Sequence, residues 1–331
     1  MRDKPSILIT GGAGYIGSHC SKAVAEVGFR PISYDNLSTG HAEFVQWGPL
    51  ILGDVHDSEK IAAVIREYDV QAVMHFAALS AVGESVADPQ KYYLNNVAGT
   101  LGLLRGMRSA SCARLVFSST GAVYGNAGRE PIPEGAAGRT VNPYGRSKFT
   151  VERILADYRS AYRFSSVSLR YFNACGADVS ATIGELRDPE THLIPRALMA
   201  ILGHVSDFAV FGSDYETPDG TAIRDYIHVD DLAAAHIVAL ELLLRGELGD
   251  VFNVGTGVGY SVRQILDAIQ TETGQAVPLV MRERRAGDPP VLVADPAKAE
   301  CQLGFKATRS DLGYIIRSAW AWHQKAHPRR I

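Results

Sequence analysis

Short, continuous apolar runs alternate with longer segments of helical periodicity along the first half of the chain. The first apolar run, Ser6–Thr10, is rich in β-branched residues and predicts a strand, and the helical segment after it ends at Gly28. The same alternation predicts further strands at 31–34, 50–54, 72–76, 114–118 and 166–170, and helices near 58–68, 90–110 and 144–162. Continuous apolar strands separated by helices predict a doubly wound α/β fold, in which helices cover both faces of a parallel sheet.

The second half of the chain has a less regular pattern. A long irregular stretch follows Asn173, and a loop at 212–220 is rich in Gly, Asp, Pro and Thr. The remaining predicted elements are a strand at 251–255 and helices near 192–203, 230–245, 261–273 and 309–325. We predict a smaller α/β unit packed beside the sheet, and we expect ligands to bind in the cleft between them.

Composition narrows the class of protein. With 331 residues, 46% hydrophobic and 21% charged, the chain is long enough for one large or two ordinary globular domains. The net charge is near -3 and no Lys/Arg run occurs, which argues against a nucleic-acid partner. The longest helical apolar segment, 232–244, is shorter than the roughly 20 residues that a membrane span needs.

The cysteines indicate the compartment. Cys20, Cys112, Cys175 and Cys301 lie far apart and form no C-x-x-C pair or Cys/His cluster. Such scattered thiols are typical of a reducing compartment and argue against a structural metal. The apolar run near the amino terminus is too short for the core of a signal peptide. We therefore expect a cytoplasmic protein with no bound metal.

A glycine-rich loop connects the first predicted strand to the first predicted helix. Gly11, Gly14 and Gly17 form a G-x-x-G-x-x-G pattern, in which a tight turn, a close approach of phosphate and close helix packing each require a residue without Cβ. Asp35, at the end of the second strand, would accept hydrogen bonds from ribose hydroxyls and repel a 2′-phosphate. This order of elements predicts a Rossmann-type NAD-binding domain over 1–173. Residues 174–331 would mainly bind substrate, with segments such as 224–255 packing back on the first domain.

Tyr144 and Lys148 form a candidate acid/base pair. A helix that begins near Pro143 would place the two side chains one turn apart on the same face. The tyrosine anion near pH 7 requires roughly 4 kcal/mol of stabilisation, and one ammonium about 4 Å away supplies about 4 kcal/mol only at an effective dielectric near 20. The pair therefore requires a partly closed pocket and a second cation. On spacing alone, a surface helix with an incidental Tyr and Lys is the more common interpretation.

Eight segments together carry a resemblance to a known family: 10–19, 34–37, 75–78, 82–85, 117–125, 142–148, 169–173 and 224–229. With these motifs the chain resembles the extended short-chain dehydrogenase/reductase family over nearly its whole length, from Ile7 to Trp322. The resemblance implies an NAD-dependent isomerase that inverts C4 of a UDP-hexose through a transient 4-keto sugar. It implies Tyr144 as the acid/base, Lys148 as the residue that holds the nicotinamide ribose and lowers the tyrosine pKa, and Thr120 as a hydroxyl bridge to the substrate. The oxidised nicotinamide would be the second cation.

The resemblance also implies two sets of binding residues. The cofactor contacts are Gly11, Gly14, Tyr15, Ile16, Gly17, Asp35, Asn36, Asp54, Val55, Phe76, Ala77, Ala78, Asn95, Lys148 and Tyr171. The substrate contacts are Thr120, Tyr144, Asn173, Leu193, Phe211, Arg224, Tyr226, Arg285 and Asp288. Arg224 and Arg285 would bind the diphosphate, because guanidinium groups match phosphate oxygens.

Several alternatives remain at this point. Related dehydratases carry an acidic residue after the position of Thr120, where this chain has Gly121 and Ala122, and NAD-sensing regulators usually lack the Tyr/Lys pair. Leu292 lies where the bulk of the side chain selects the sugar, and it predicts UDP-glucose and UDP-galactose with little activity on UDP-GlcNAc. A UDP-xylose/UDP-arabinose substrate stays open. Ser80 replaces a lysine that many relatives have near the cofactor.

A homodimer is also expected from the resemblance. Family dimers pack the helix with the Tyr/Lys pair and the helix before it against a partner. Both predicted helices carry apolar residues, namely Leu101, Leu103, Leu104, Phe149, Ile154 and Leu155. Burial within the monomer would explain these residues equally well.

Overall fold

The computed structural model describes residues 4–127, 131–284 and 288–328. Its strands are β1 (Ser6–Thr10), β2 (Arg30–Asp35), β3 (Leu50–Leu52), β4 (Val70–His75), β5 (Arg114–Ser118), β6 (Ser165–Tyr171), β7 (Asn173–Cys175), β8 (Ala209–Phe211), β9 (Ile223–His228), β10 (Val251–Val254), β11 (Gly259–Ser261), β12 (Val280–Arg282) and β13 (Val291–Leu292). Its α-helices are α1 (Tyr15–Glu26), α2 (Ser58–Glu67), α3 (Val82–Ala87), α4 (Pro89–Tyr92), α5 (Gly99–Ser109), α6 (Pro143–Tyr162), α7 (Leu193–Ile201), α8 (Val229–Leu244), α9 (Val262–Thr273) and α10 (Leu312–Ala326).

The main sheet has seven parallel strands in the order β10-β6-β5-β4-β1-β2-β3. One face packs on α1 and α8, where Val24 and Leu240 are fully buried. The other face packs on α2, α5 and α6, with Ile61, Leu104 and Val151 in its core. The predicted doubly wound α/β fold is therefore confirmed.

The chain returns from its second half to complete this sheet. After β9, α8 packs beside α1 below β4, β5 and β6, and β10 pairs in parallel with β6 at the edge. Phe252 and Val254 of β10 belong to the same buried cluster as Ile237 of α8. These elements lie on the main sheet although they follow residue 173. The domain boundary predicted at residue 173 stays a prediction.

The remaining elements form a smaller α/β part. β9 pairs with β7, β11 and β13, and a separate two-stranded sheet joins β8 to β12. Helices α7, α9 and α10 enclose their own apolar core, which includes Leu198, Ile269 and Ile316. The sequence analysis predicted none of these six strands, because five of them have only two or three residues and β9 mixes charged with apolar residues.

Three further observations concern the helices and the cysteines. None of the described helices has both the length and the apolar character needed to cross a membrane. Cys20, Cys112 and Cys175 are buried free thiols, and Cys301 is an exposed free thiol. The predicted helix near 90–110 is interrupted, because a π-helical turn over Tyr93–Ala98 joins α4 to α5.

Candidate active site

Several residues that the sequence analysis predicted as site residues lie at the carboxyl edge of the main sheet. Gly11, Asp35, Phe76, Thr120 and Tyr171 lie at or just after the ends of β1, β2, β4, β5 and β6. Because the strands are parallel, these ends meet at one edge of the sheet. Loops that are far apart in sequence therefore converge at this edge.

The glycine loop leaves space for a phosphate because Gly11, Gly14 and Gly17 carry no side chains. Gly11 has a φ of +74°, and a Cβ there would lie 2.6 Å from the backbone nitrogen of Ala77. A Cβ on Gly17 would lie 2.1 Å from the Gly11 carbonyl oxygen, whereas a Cβ on Gly14 meets that oxygen only at 3.3 Å. Gly14 caps α1 without a side-chain hydrogen bond, so within the described part of the chain the first N–H groups of this helix remain available to a ligand. These features fit the pyrophosphate of a dinucleotide.

Acidic and amide side chains lie at the ends of β2 and β3. The Asp35 carboxylate accepts the backbone N–H groups of Ala13 at 3.0 Å and Leu37 at 2.8 Å, which leaves acceptor capacity for ribose hydroxyls. Asn36 donates to Asp54 at 2.9 Å. Burial acts to raise the pKa of Asp54, but hydrogen bonds from His56 and Asn36 together lower this pKa below its ordinary value. His56, which the sequence analysis did not select, fixes this carboxylate at 2.5 Å.

Val55 and the loop after β4 form the next part of this surface. Val55 is buried against Gly99 at the start of α5. The N–H groups of Phe76 and Ala77 both donate to the Thr10 carbonyl, at 2.9 and 3.1 Å, and Ala78 is half-buried. The Phe76 ring packs against His236 of α8 with 4.8 Å between centroids. Backbone bonds thus hold the predicted cofactor residues Phe76 and Ala77 beside the glycine loop.

An asparagine pair connects that loop to the helix of the Tyr/Lys pair. Asn95 donates to the side-chain oxygen of Asn96 at 2.9 Å. Asn96 is buried and bonds both the N–H and the carbonyl of Leu79, at 2.9 and 3.0 Å. It also donates to Ser147 of α6 at 3.1 Å. The sequence analysis predicted Asn95 as a cofactor contact. In the structure it is Asn96 that bonds both the loop after β4 and helix α6.

Tyr144 and Lys148 lie in the first turns of α6, as the sequence predicts. Asn142 caps this helix by accepting the N–H of Gly145 at 2.8 Å, and Pro143 is its first residue. The Lys148 ammonium is buried and donates to the Ser118 carbonyl at 2.9 Å. Burial lowers the pKa of Lys148 to about 7, and Glu152 one turn later opposes this change.

The Tyr144 phenol faces Thr120 across the end of β5. Burial raises the pKa of Tyr144, while a hydrogen bond with Thr120 and the charge of Arg187 act in the opposite direction. Thr120 also caps a short 3₁₀ turn by accepting the N–H of Ala122 at 3.1 Å. Its hydroxyl therefore serves both the local backbone and the tyrosine.

A buried polar network supports the Tyr/Lys helix. The Tyr171 hydroxyl lies 2.5 Å from Ser118 Oγ, directly beside the carbonyl that binds Lys148. Glu152 forms a buried ion pair with Arg170 at 2.6 Å and accepts the Ser119 hydroxyl at 2.5 Å. These contacts fix α6 against β5 and β6 and so set the position of the predicted acid/base pair.

We predict that Lys148→Met removes a pH dependence of stability from the ligand-free protein. The folded-state pKa of about 7 lies below the unfolded value of about 10.4, so the unfolded chain binds the additional proton between them. The free energy of unfolding then rises with pH in that window, by about 1.4 kcal/mol per pH unit from this group. Urea unfolding of both proteins from about pH 7.5 to 9 measures it. A constant difference between them would show that Lys148 stays charged.

Three of the predicted substrate residues lie on β7 and β9, which pair in parallel. Asn173 pairs with Tyr226 in the register of these strands and donates to the Asp225 carbonyl at 2.9 Å. Arg224 forms an ion pair with Asp288 at 2.5 Å, and its side chain is mostly buried. The Tyr226 side chain is buried, which raises the pKa of its hydroxyl.

The other substrate candidates come from outside these strands. Leu193 is the first residue of α7 and packs against the apolar cluster that contains Tyr226. Phe211 ends β8 and pairs with Arg282 of β12. Arg285 lies outside the described residues. The structure thus brings Asn173, Arg224, Tyr226 and Asp288 together, with Leu193 beside them.

Comparison with known proteins gives a consistent result. A family model described as the NAD dependent epimerase/dehydratase family matches residues 7–255. A UDP-glucose 4-epimerase of Rhizobium leguminosarum bv. trifolii is 49% identical over 322 residues, which cover 97% of this chain and 98% of the relative.

Solved structures agree with these matches. The chain is similar to a UDP-glucose 4-epimerase from Brucella ovis in complex with NAD, with 52% identity, a TM-score of 0.94, and coverage of 96% of this chain and 98% of the other. It is also similar to a UDP-glucose 4-epimerase from Stenotrophomonas maltophila with bound NAD and formylated UDP-arabinopyranose. That match has 39% identity, a TM-score of 0.94, and coverage of 97% and 98%.

Proposed function

Because this chain belongs to the NAD dependent epimerase/dehydratase family, we propose that it interconverts UDP-galactose and UDP-glucose by epimerisation at C4. The protein is an isomerase, and its cofactor is NAD. The observation that carries the proposal is the placement of Tyr144, Lys148 and Thr120 together at the sheet edge that also holds the glycine loop. The acidic residues that a dehydratase needs after Thr120 are absent from the sequence.

In this proposal Tyr144 removes the proton from the 4-hydroxyl of the sugar and later returns it to the same oxygen. When bound, NAD supplies reversible acceptance of the hydride from C4. The protonated form of Lys148, held by the Ser118 carbonyl, would supply a positive charge one helical turn from Tyr144. Thr120 lies against the phenol and is placed to hold the sugar oxygen in line with it.

The cofactor would lie along the sheet edge. Its pyrophosphate would be bound by the N–H groups around Gly14 and its adenine ribose by Asp35, with Asn36, Asp54 and Val55 beyond. Phe76, Ala77 and Ala78 would support the central part, and Tyr171 would lie near the nicotinamide half. The fit rests on the open cradle at Gly14 and on the spare acceptor capacity of Asp35.

The sugar ring must turn over within the site, because the hydride leaves one face of C4 and returns to the other. This requires firm binding of the nucleotide, which does not react, and loose contact with the hexose. Arg224 is held rigid by Asp288 and can present its guanidinium to the diphosphate. Asn173, Leu193, Phe211, Tyr226 and Arg285 complete the proposed nucleotide contacts.

A direct assay tests the proposed function. The protein is incubated with UDP-galactose, and UDP-glucose is followed without added NADH. Catalytic conversion supports the proposal. Stoichiometric release of NADH would instead indicate a dehydrogenase, a 4-keto-6-deoxy product would indicate a dehydratase, and no turnover would indicate an NAD-binding regulator. A parallel screen with UDP-xylose and UDP-GlcNAc defines the range of sugars.

We predict that Leu292→Ala increases activity on UDP-GlcNAc relative to UDP-glucose by about tenfold or more. Leu292 is half-buried, pairs with Arg224 across β13 and β9, and packs against the cluster of Tyr124 and Phe172. Removing its isobutyl group would make room for the N-acetyl substituent. The ratio of kcat/KM values for the two sugars measures the effect. Val291→Ala, one position earlier on the same strand, is the control, and an unchanged ratio for Leu292→Ala would place the selecting residue elsewhere.

We further infer a homodimer, a cytoplasmic location and a role in galactose metabolism. Leu103, Leu104 and Leu155 are buried within the monomer, whereas Leu101 is 39% exposed and lines a shallow groove with Tyr158 of α6. That exposed face supports pairing through α5 and α6. Light scattering that gave the mass of one chain would contradict the dimer. The buried free thiols support a reducing compartment.

A further inference from the structure

The Tyr15 hydroxyl connects the start of α1 to a turn in the later half of the chain. Tyr15 is the first residue of α1 and is buried, and its hydroxyl donates to the Gly176 carbonyl at 2.7 Å. The sequence analysis predicted Tyr15 as a cofactor contact. Its backbone N–H lies at the helix start, where a pyrophosphate would bind, whereas its hydroxyl is bonded to Gly176. One side chain thus joins the glycine loop to the later half of the structure.

The turn at Gly176 is packed directly against the end of β9. Gly176 follows β7 and has a φ of +85°, which residues with a side chain rarely adopt. A Cβ at this position would lie 2.5 Å from the His228 ring. His228 is the last residue of β9 and is fully buried, and its Nε2 lies 3.0 Å from the Ser318 hydroxyl of α10. A shift of the turn would therefore also displace the end of β9.

The two strands at this turn carry the predicted substrate residues. β7 pairs in parallel with β9, so that Asn173 lies opposite Tyr226. Asn173 precedes Gly176 by only three positions, and Tyr226 precedes the end of β9 by two. Arg224, which would bind the diphosphate, lies on the same strand β9. The position of the turn thus helps to set the position of the residues that would hold the UDP group.

The same face of α1 makes a second contact with this part of the chain. Lys22 lies about two helical turns after Tyr15. Its ammonium forms an ion pair with the Asp178 carboxylate, which is fully buried. His19 lies between the two, with its ring edge-on to the Tyr15 ring and 5.3 Å between centroids. Two side chains of α1 therefore hold the segment that begins at Gly176.

The segment 176–187 also contacts two other loops at the carboxyl edge of the sheet. The Nε2 atom of His41, in the loop after β2, lies 3.0 Å from the Leu186 carbonyl oxygen. Arg187 donates to the hydroxyl of Ser80, in the loop after β4, at 3.1 Å. These two loops and the start of α1 would surround the cofactor. One segment thus connects three parts of the proposed NAD site to the strands that would hold UDP.

We propose that Tyr15 is a positioning residue, whose hydroxyl transmits the binding of NAD at the glycine loop to the strands that hold the UDP group. The inference rests on the proposed function. A pyrophosphate bound to the first N–H groups of α1 would fix the first turn of this helix. Because that turn holds Gly176, β7 and β9 lose less conformational freedom when UDP binds afterwards. NAD then strengthens the binding of UDP, and UDP strengthens the binding of NAD by the same factor.

The test uses the purified, full-length holoenzyme and its Tyr15→Phe variant. Each protein is dialysed to equilibrium against graded concentrations of NAD, with and without saturating UDP, which has no hexose to contact the nicotinamide. In the wild type, UDP should lower the Kd of NAD by about tenfold, within the usual range for linked sites. Tyr15→Phe removes one buried hydrogen bond and keeps the ring, so this factor should fall to about two or less.

Two further variants separate this role from a structural one. Ser21→Ala removes a buried hydroxyl that bonds the Gly17 carbonyl within α1 at 2.9 Å, and it should leave the factor unchanged. Lys22→Met removes the second contact with the segment 176–187 and should also lower the factor. Lys22→Met therefore decides the question if Tyr15→Phe does not fold.

Two results would overturn the proposal. One is an NAD affinity that UDP does not change in the wild type. The other is a Tyr15→Phe protein that binds NAD more weakly by the same amount with and without UDP, because the factor is then unchanged and the role of the hydroxyl is only structural. Loss of the factor in a protein that does not convert UDP-galactose would support the role of Tyr15 and overturn only the proposed function.

Discussion

We expect Tyr144→Phe to bind NAD and UDP-sugar with little change and to lose turnover by about 10²- to 10⁴-fold, the usual contribution of a positioned acid/base. The substitution removes only the hydroxyl that faces Thr120. The ring keeps its edge contact with Tyr92, and α6 keeps its Asn142 cap. Rates of UDP-glucose formation from UDP-galactose, with NAD content measured on the same samples, provide the test.

Tyr162→Phe is the matched control for this variant. Tyr162 lies at the end of the same helix and is 43% exposed, so the loss of its hydroxyl should leave turnover unchanged. If Tyr144→Phe retained more than a small fraction of wild-type activity, another residue would have to serve as the acid/base. A loss of NAD in Tyr144→Phe would instead point to a role of the phenol in holding the cofactor.

We expect Gly14→Ala to fold normally and to bind NAD about 100-fold more weakly, which corresponds to about 2.8 kcal/mol. The described atom nearest to a Cβ at this position is the Gly11 carbonyl oxygen at 3.3 Å, so a shift of a few tenths of an ångström in the loop is enough to accommodate the methyl group. The added methyl group would occupy the space that we assign to the pyrophosphate. Titration of cofactor-stripped protein with NAD measures the affinity, and thermal unfolding without NAD checks the fold.

Two other glycine variants serve as controls for Gly14→Ala. Gly135→Ala adds a methyl group in open space and should change neither property. Gly17→Ala brings a Cβ to 2.1 Å from the Gly11 carbonyl oxygen and should therefore disturb the folded loop itself. Wild-type NAD affinity in Gly14→Ala would mean that the cofactor does not pass over this loop as proposed.

The order of strands and helices in the first half of the chain could be predicted because the sequence patterns that indicate them are local. Buried strands of the main sheet such as β1 contain apolar runs, the glycine loop follows β1 directly, and Asp35 is the last residue of β2. Comparison with known proteins confirms the fold, the family, the cofactor and the activity that the motifs implied. The roles assigned to Tyr144, Lys148 and Thr120 are predictions, and the variants above test them.

The contacts of the second half could not be predicted in the same way. β7, β8 and β11 have three residues each, and β9 mixes Arg224 and Asp225 with buried side chains. Arg187 lies in a stretch with no periodicity, and its partners are a near neighbour, Glu185, and a residue 107 positions earlier, Ser80. Only the folded chain brings that arginine to Ser80 in the loop after β4.

Synthesis of the chain from its amino terminus leaves the central sheet incomplete until residue 254 has been added, because α8 and β10 come from the second half. Before then the apolar side chains of Val116, Val167 and Leu169 lack the cover of Leu240 and its neighbours on α8. A nascent chain that ends near residue 173 therefore exposes an aggregation-prone surface at the ribosome. The sheet edge that would bind NAD is synthesised early. Helix α8 and strand β10, which cover and extend the sheet, are complete only about eighty residues later.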